Sequence, residues 1–153
     1  MPDGTRGVGL LAIAATILAG AAAGLGTYTL AYADGLAYLD DDPQACANCH
    51  VMQGHLDAWV KSSHKQVAVC NDCHAPHTNV LDKYTCKARN GFFHSYAFTT
   101  GRFPDNILIN AYNREVTESA CRHCHSAVSH DIDDDVEPLA CTGCHASVGH
   151  DTH

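Results

Sequence analysis

The chain has 153 residues, the length of a single domain, and a formal net charge of −8, which argues against nucleic acid as a partner because a phosphate backbone asks for a basic surface. The charge is unevenly spread: Lys61, Lys65, Lys83, Lys87 and Arg89 cluster in the middle, whereas Asp131, Asp133, Asp134, Asp135 and Glu137 form an acidic run near the end. The first part of the chain carries almost no charge and contributes little to a soluble core.

From Gly7 to Ala33 there is no charged residue, and a run of that length crosses a bilayer as one helix. Arg6 precedes it and Asp34 follows, which orients the N-terminus towards the cytoplasm and the rest of the chain outside. Tyr28 and Tyr32 fall near its outer end, where amphipathic rings favour the headgroup region. These features divide the chain into an anchor over residues 1–34 and an extracytoplasmic domain over residues 35–153. Ala31-Tyr32-Ala33 has the small-x-small form of a signal-peptide cleavage site, but a signal peptide's apolar region runs to about 7–15 residues and this one is longer. Gly20-Ala-Ala-Ala-Gly24 is a G-x-x-x-G spacing, read either as a helix-packing face for self-association or as ordinary membrane-helix composition.

Asp40-Asp41-Asp42-Pro43 interrupts any continuing helix, and its carboxylates can cap the turn carrying Cys46-Ala-Asn-Cys49-His50. Met52 to Val69 reads as a short helix leading to Cys70-Asn-Asp-Cys73-His74. A longer helix is predicted from Asn79 to Thr100, with Lys83, Lys87 and His94 on roughly one face. Gly101-Arg-Phe-Pro104 ends it, and a second helix is predicted from Asp105 to Cys121. Cys121-Arg-His-Cys124-His125 and Cys141-Thr-Gly-Cys144-His145 are expected on short turns. Each is followed by four residues and a further histidine, His130 and His150, a repeat that the shared chemistry accounts for without a solenoid. The acidic run between these two motifs reads as a solvated loop, or alternatively as a docking surface for a basic partner.

Four copies of Cys-x-x-Cys-His mark covalent haem attachment. The paired thiols, Cys46 and Cys49, Cys70 and Cys73, Cys121 and Cys124, Cys141 and Cys144, add across the haem vinyl groups, and the adjacent histidine is held within reach of the iron. Zinc sites built from Cys-x-x-Cys pairs do not require a histidine after every pair. Haem attachment of this kind takes place outside the cytoplasmic membrane, consistent with the anchor's orientation. About 110 residues then surround four haems, too few to build an ordinary core, so the porphyrins themselves fill the interior and the apo-chain is expected to be largely unfolded. Cys86 is left over, read as a buried small hydrophobe or as the site of a disulfide to a partner.

Four six-coordinate irons need eight axial ligands. The motifs nominally supply His50, His74, His125 and His145, and the other candidates are His55, His64, His77, His94, His123, His130, His150, His153 and Met52. His130 and His150 are too close in sequence to reach the far face of their own haems, so they are assigned to neighbouring ones. Met52 follows His50 by two residues; as a ligand its thioether would raise the reduction potential relative to a bis-histidine site, and otherwise it packs on the porphyrin.

The membrane helix, the four motifs, the Cys-x-x-Cys-His-x-Met of the first, Ser63-His64 before Cys70-Asn-Asp-Cys73-His74-Ala-Pro-His77, and the terminal Cys-x-x-Cys-His-x4-His together resemble the NapC/NirT family of tetrahaem quinol dehydrogenases. The compact length is similar to the small subunits that serve cytochrome c nitrite reductase. The resemblance implies a fold that is mainly α with much irregular structure: a single N-terminal transmembrane helix plus a compact tetrahaem c-type cytochrome domain organised around the haems. It implies that Met52 ligates the first iron with His50 displaced, that His64 and His150 are distal ligands in the middle region, and that Lys87 binds quinol. His94 stands where a well-known member has an aspartate, and either ligates iron or accepts a proton. In the nitrite-reductase small subunit a lysine of the partner completes one haem, whereas His130 here offers a ligand within the chain.

The function implied is oxidation of quinol, most naturally menaquinol, with transfer of electrons to a periplasmic multihaem reductase, cytochrome c nitrite reductase being favoured. Lys87 would stabilise negative charge on the quinol oxygen, and Lys83 and Arg89 would help hold the site. The competing reading of the three basic residues is contact with lipid headgroups. The competing function is that of a secreted or filament-forming multihaem carrier without quinol chemistry. Catalysis of nitrite or hydroxylamine reduction at an open haem is disfavoured, because so short a chain leaves little room for a substrate pocket.

Overall fold

A computed structural model of the protein describes residues 4–104, 107–133 and 140–150, and of residues 4–6, His50 and 130–133 the backbone alone. The described residues form helices and connecting turns, with no strand among them. Two compact units follow one another in the chain, the first ending at Ala37 and the second beginning at Tyr38.

The first unit is built on helix α1, Gly4–Tyr32. Its segment Gly7–Tyr32 has a mean hydropathy of 2.2 and is long and apolar enough to cross a membrane. The hydroxyls inside it bond to their own helix: Thr16 Oγ1 donates to Ala12 O at 2.9 Å and Thr29 Oγ1 to Leu25 O at 2.8 Å, which lets them lie in an apolar environment. Asp34, at φ 48°, turns the chain out of the helix through the left-handed region, which a short polar side chain tolerates.

In the second unit α2, Pro43–Ala47, starts at a proline suited to the first helical position and is capped by Asp42, whose Oδ1 accepts from Gln44 N at 2.8 Å. A 3-10 turn over His50–Met52 leads into α3, Gln53–Val60. The helix anticipated to run to Val69 therefore stops at Val60. Trp59 Nε1 donates to Ala68 O at 3.1 Å, pinning the turns of residues 61–69 back onto α3. Helix α4, Cys70–His74, is the second motif itself, and Asp72 Oδ2 accepts from Val69 N at 2.8 Å across its first turn.

Helix α5, Val80–Thr100, agrees closely with expectation. Asn79 caps it by accepting from Asp82 N at 2.9 Å, and Gly101 closes it at φ 65°, where Arg102 N returns to Ala97 O at 2.9 Å. Helix α6, Ala111–Asp133, departs from expectation at both ends. It begins after Asn110, whose Oδ1 accepts from Asn113 N at 2.9 Å, and it runs through the third motif instead of releasing it to a turn. No glycine or proline lies between Ala111 and Asp133, and the helix is interrupted at one place, a kink at His125 with φ −102° and ψ 20°. Helix α7, Cys141–Cys144, carries the fourth motif. The two copies of the C-terminal repeat thus sit in different local structures. Helix α4 packs on α6, and α7 on the same helix.

The buried apolar residues among those described are few and small: Leu56, Ala75, Cys86, Val116 and Ala120.

Candidate haem centres and quinol site

Of the nine thiols only Cys86 is buried; the eight in the motifs are all at least partly exposed, in the pattern of side chains that attach a group outside the polypeptide's own core. Cys86, 1% exposed, lies 3.7 Å from His74 O and 3.5 Å from Asn90 Nδ2, which fits the inert buried residue and not a disulfide to another chain.

The imidazoles provide a more demanding test of fit. Two axial Fe–N bonds of about 2 Å, with each ring centre about 1 Å further out, separate the centroids of a bis-histidine pair by about 6 Å. His64 and His125 lie at 6.1 Å, and His74 and His150 at 6.0 Å. In each pair one member follows a Cys-x-x-Cys and the other comes from a distant part of the chain, so the spacing of the residues present fits an iron shared by each pair. His74 is held down to about pKa 4 by burial, then by the neighbouring His150 and His55, and is therefore the neutral, lone-pair-bearing form at physiological pH.

Other histidines are spaced differently. His55 and His150 meet edge to face at 4.7 Å, and His77 and His123 stack at 4.5 Å, both too close for an iron between them. His77 Nε2 also donates to Asp72 O at 2.7 Å, so that nitrogen is engaged. His145 caps the end of α7, its backbone N bonded to Cys141 O at 2.9 Å, and among the described residues no imidazole opposes it at axial spacing. Met52 lies in the 3-10 turn after the first motif, its N bonded to Cys49 O at 2.8 Å. The side chains of His50 and His130, and all of His153, lie outside the described residues, as do Asp134, Asp135 and Glu137.

The basic residues of α5 separate into two groups. Lys83 and Lys87 converge on Asp41: Lys83 Nζ is 2.6 Å from Oδ2, and Lys87 Nζ is 3.4 Å from Oδ1. Lys87 also donates to Asp40 O at 2.8 Å and Leu39 O at 3.2 Å, and it is only 5% exposed. Asn71, inside the second motif, donates to Asp41 Oδ1 at 2.6 Å and to Asp40 O at 3.1 Å. The Lys83 hydrogen bond, assisted by Asn71 and both lysine charges, outweighs the cost of burial and lowers the Asp41 pKa; that of Lys83 rises in return. One turn beyond Lys87, a Cβ on Gly91 would stand 3.1 Å from Tyr38 Cε1, so glycine permits the close approach of that ring to α5. Burial, above all, pushes the Tyr38 phenol up to about 12, so it stays neutral.

Arg89 and His94 belong to another surface. With Asn90, Phe93, Asn110 and Tyr112 they line an open cleft of about 450 Å³. The Arg89 guanidinium lies 4.1 Å from the centre of the Tyr112 ring and 5.5 Å from that of Phe93. Although exposed, the His94 imidazole is desolvated enough by its surroundings to titrate below the usual histidine range.

Several organising residues escaped the sequence reading. Of the three aspartates read as caps, Asp42 serves as one and Asp41 binds the lysines. Glu118, 8% exposed on α6, accepts from Cys141 N at 2.6 Å, Thr142 N at 3.0 Å and Thr142 Oγ1 at 2.5 Å, clamping the start of the fourth motif one turn from the third. Burial alone would raise its pKa, but the bonds from Thr142 and Cys141 more than offset that and lower it. These contacts join residues far apart in sequence, and no local pattern announces them.

Comparisons with known proteins point to one family. The sequence profile of the NapC/NirT cytochrome c family, N-terminal region, matches residues 9–138. The chain is similar to "Cytochrome c-type protein NrfH" of Wolinella succinogenes, 40% identical over 108 residues, which are 71% of this chain and 61% of that protein. It is also similar to "Cytochrome c nitrite reductase subunit NrfH" of Nitratidesulfovibrio vulgaris, 39% identical over 103 residues, 67% of this chain and 63% of the other. The matched regions thus span under two thirds of the length of these two relatives. A chain in the crystal structure of the cytochrome c nitrite reductase NrfHA complex bound to the HQNO inhibitor is similar in fold, with a TM-score of 0.64 and 33% identity over 86% of this chain and 88% of that one.

Proposed function

This chain belongs to the NapC/NirT cytochrome c family, and on that premise we propose that it is a membrane-anchored tetrahaem cytochrome that oxidises menaquinol and passes the electrons to periplasmic cytochrome c nitrite reductase. The observation that carries the reading is the pair of axial spacings, 6.1 Å for His64 with His125 and 6.0 Å for His74 with His150. Haem c, bound covalently by the cysteine pairs, supplies reversible one-electron chemistry. Met52 or His50 would hold the first iron, His74 and His150 the second, His64 and His125 the third, and His145 the fourth, with His130 of this chain or a group from the reductase opposite it. The relatives named as NrfH and the NrfHA complex support the nitrite reductase as partner.

The chain's own part in quinol oxidation lies on α5. The Lys87 ammonium donates to a quinol oxygen and stabilises the negative charge that develops as the proton leaves. His94, neutral near pH 7 because its pKa is lowered, accepts a proton, and Arg89 beside it packs its guanidinium over the Tyr112 ring. Lys87 and His94 are seven residues apart, about two turns along α5, and take separate parts: the ammonium on the Asp41 side meets the quinol oxygen, and the imidazole in the Tyr112 cleft receives the proton. The apolar helix anchors the protein, with the haem domain on the periplasmic side.

The test is reduction of the detergent-solubilised holoprotein by a menaquinol analogue, comparing wild type with Lys87→Ala and His94→Ala. Wild-type haems are expected to be reduced, with Lys87→Ala slower by about tenfold or more, the loss of one charge-assisted hydrogen bond. If the wild type stays oxidised, or both variants keep pace with it, the quinol assignment fails.

A further inference from the structure

We propose that Asp41 is a displaceable partner of Lys87: it gives up one ammonium donor to the incoming quinol oxygen, while Lys83 and Asn71 keep its carboxylate in place. The inference rests on Lys87 as the quinol-binding lysine and assigns roles to Asp41 and Asn71 that this reading does not use.

An ammonium has three N–H donors, and on Lys87 all three have acceptors: Asp40 O at 2.8 Å, Leu39 O at 3.2 Å and Asp41 Oδ1 at 3.4 Å. A buried lysine so engaged binds a new oxygen only by releasing an old one. The Asp41 contact is the longest of the three, near the limit of a hydrogen bond, and the carboxylate does not depend on it. Oδ2 receives Lys83 at 2.6 Å and Oδ1 receives Asn71 at 2.6 Å, so Asp41 stays satisfied when Lys87 turns away. The Asp41 side chain is also half exposed, whereas that of Lys87 is 5% exposed, so the approach to the ammonium is from the carboxylate's side.

Lys83 is then the residue that keeps Lys87 available. With Lys83 removed, Asp41 has one cation left, closes on Lys87 and competes with the developing quinol anion for the same charge. With Asp41 made neutral, the third donor of Lys87 is free from the start, and Lys83 has nothing left to restrain. The two substitutions act in opposite directions, and the effect of one depends on the other.

The experiment is a double-mutant cycle on the detergent-solubilised holoprotein, reading the equilibrium dissociation constant of HQNO together with KM and kcat for a menaquinol analogue; haem content and visible spectrum verify the fold. Lys83→Met is expected to weaken HQNO binding and raise KM by about fivefold, the scale of a partly exposed ion pair, with kcat little changed. Lys83→Arg restores both. Asp41→Asn tightens binding by about threefold, and in that background Lys83→Met changes binding less than about twofold. The inference is overturned if Asp41→Asn weakens binding, or if Lys83→Met has the same effect with and without Asp41. Lys87→Met separates this from the underlying reading: if it leaves HQNO binding and KM unchanged, Lys87 is not the quinol lysine, whereas if it abolishes binding while the cycle is additive, only the role of Asp41 falls.

Discussion

Replacing Glu118 by alanine removes the clamp between the third and fourth motifs. Three donors lose their acceptor, Cys141 N, Thr142 N and Thr142 Oγ1, and α7 loses the negative charge at its first turn. Hydrogen bonds to a charged group are worth about 1.5–3 kcal/mol each and a helix cap about 1 kcal/mol, but the freed amides can turn to water, so we expect a net loss of about 3 kcal/mol. In a chain of this size that corresponds to a fall in Tm of about 6–12 °C. Glu118→Gln keeps the shape and one acceptor oxygen and should lose about half as much. The pH dependence follows from the lowered pKa: the carboxylate's contribution is complete above the usual glutamate range and is lost as pH falls through the lower folded-state value. Thermal unfolding of the holoprotein, followed by far-UV circular dichroism at fixed scan rate, should therefore show a wide gap between wild type and Glu118→Ala at about pH 7, narrowing as the pH falls through the lowered folded-state value. A change in Tm within about 2 °C at the higher pH, or an undiminished gap in acid, would refute the reasoning.

Two other outcomes follow from the described geometry. His150→Leu should leave all haems attached while converting one low-spin iron to high spin in the electron paramagnetic resonance spectrum; His64→Leu should do the same to another, and retention of every low-spin signal would exclude these histidines as axial ligands. Gly91→Val drives a side chain into Tyr38 and should cost about 1–3 kcal/mol, whereas in Gly91→Ala the gain in helix propensity, about 1 kcal/mol, opposes the 3.1 Å contact; equal Tm values for wild type and the valine variant would show that the close approach is not needed.

The chemistry was legible because haem attachment demands a fixed residue order, and Cys-x-x-Cys-His states it without help from the fold. Helix α5 was legible too, since Asn79 and Gly101 punctuate it and a single interior glycine, Gly91, is too little to end it. The third motif misled because its pentapeptide is itself compatible with a helix, and the residues on either side of Cys121–His125 carry no stop signal. What remained hidden is long-range: Lys87 meets backbone carbonyls of Leu39 and Asp40, and Glu118 meets the amides of Cys141 and Thr142. Alternation and i,i+4 spacing report neighbours on one element, whereas these partners are chosen by how separate elements pack. The same limit applies to Lys83, Lys87, Arg89 and His94: a shared helix was readable, but their division between Asp41 and the Tyr112 cleft was not.

The regular course of α6 from Glu118 to Cys124 makes it a ruler. Glu118, Cys121, Cys124 and the kink at His125 are spaced along one helix, where each residue adds about 1.5 Å of rise and about 100° of rotation. A single residue gained or lost between Glu118 and Cys121 would swing the clamp away from the fourth motif while leaving every individual side chain intact. Point substitutions there can be absorbed one at a time, but changes of length cannot. That stretch is accordingly where descent should preserve spacing more strictly than identity, and an alignment that opens a gap there would join chains with a different internal layout.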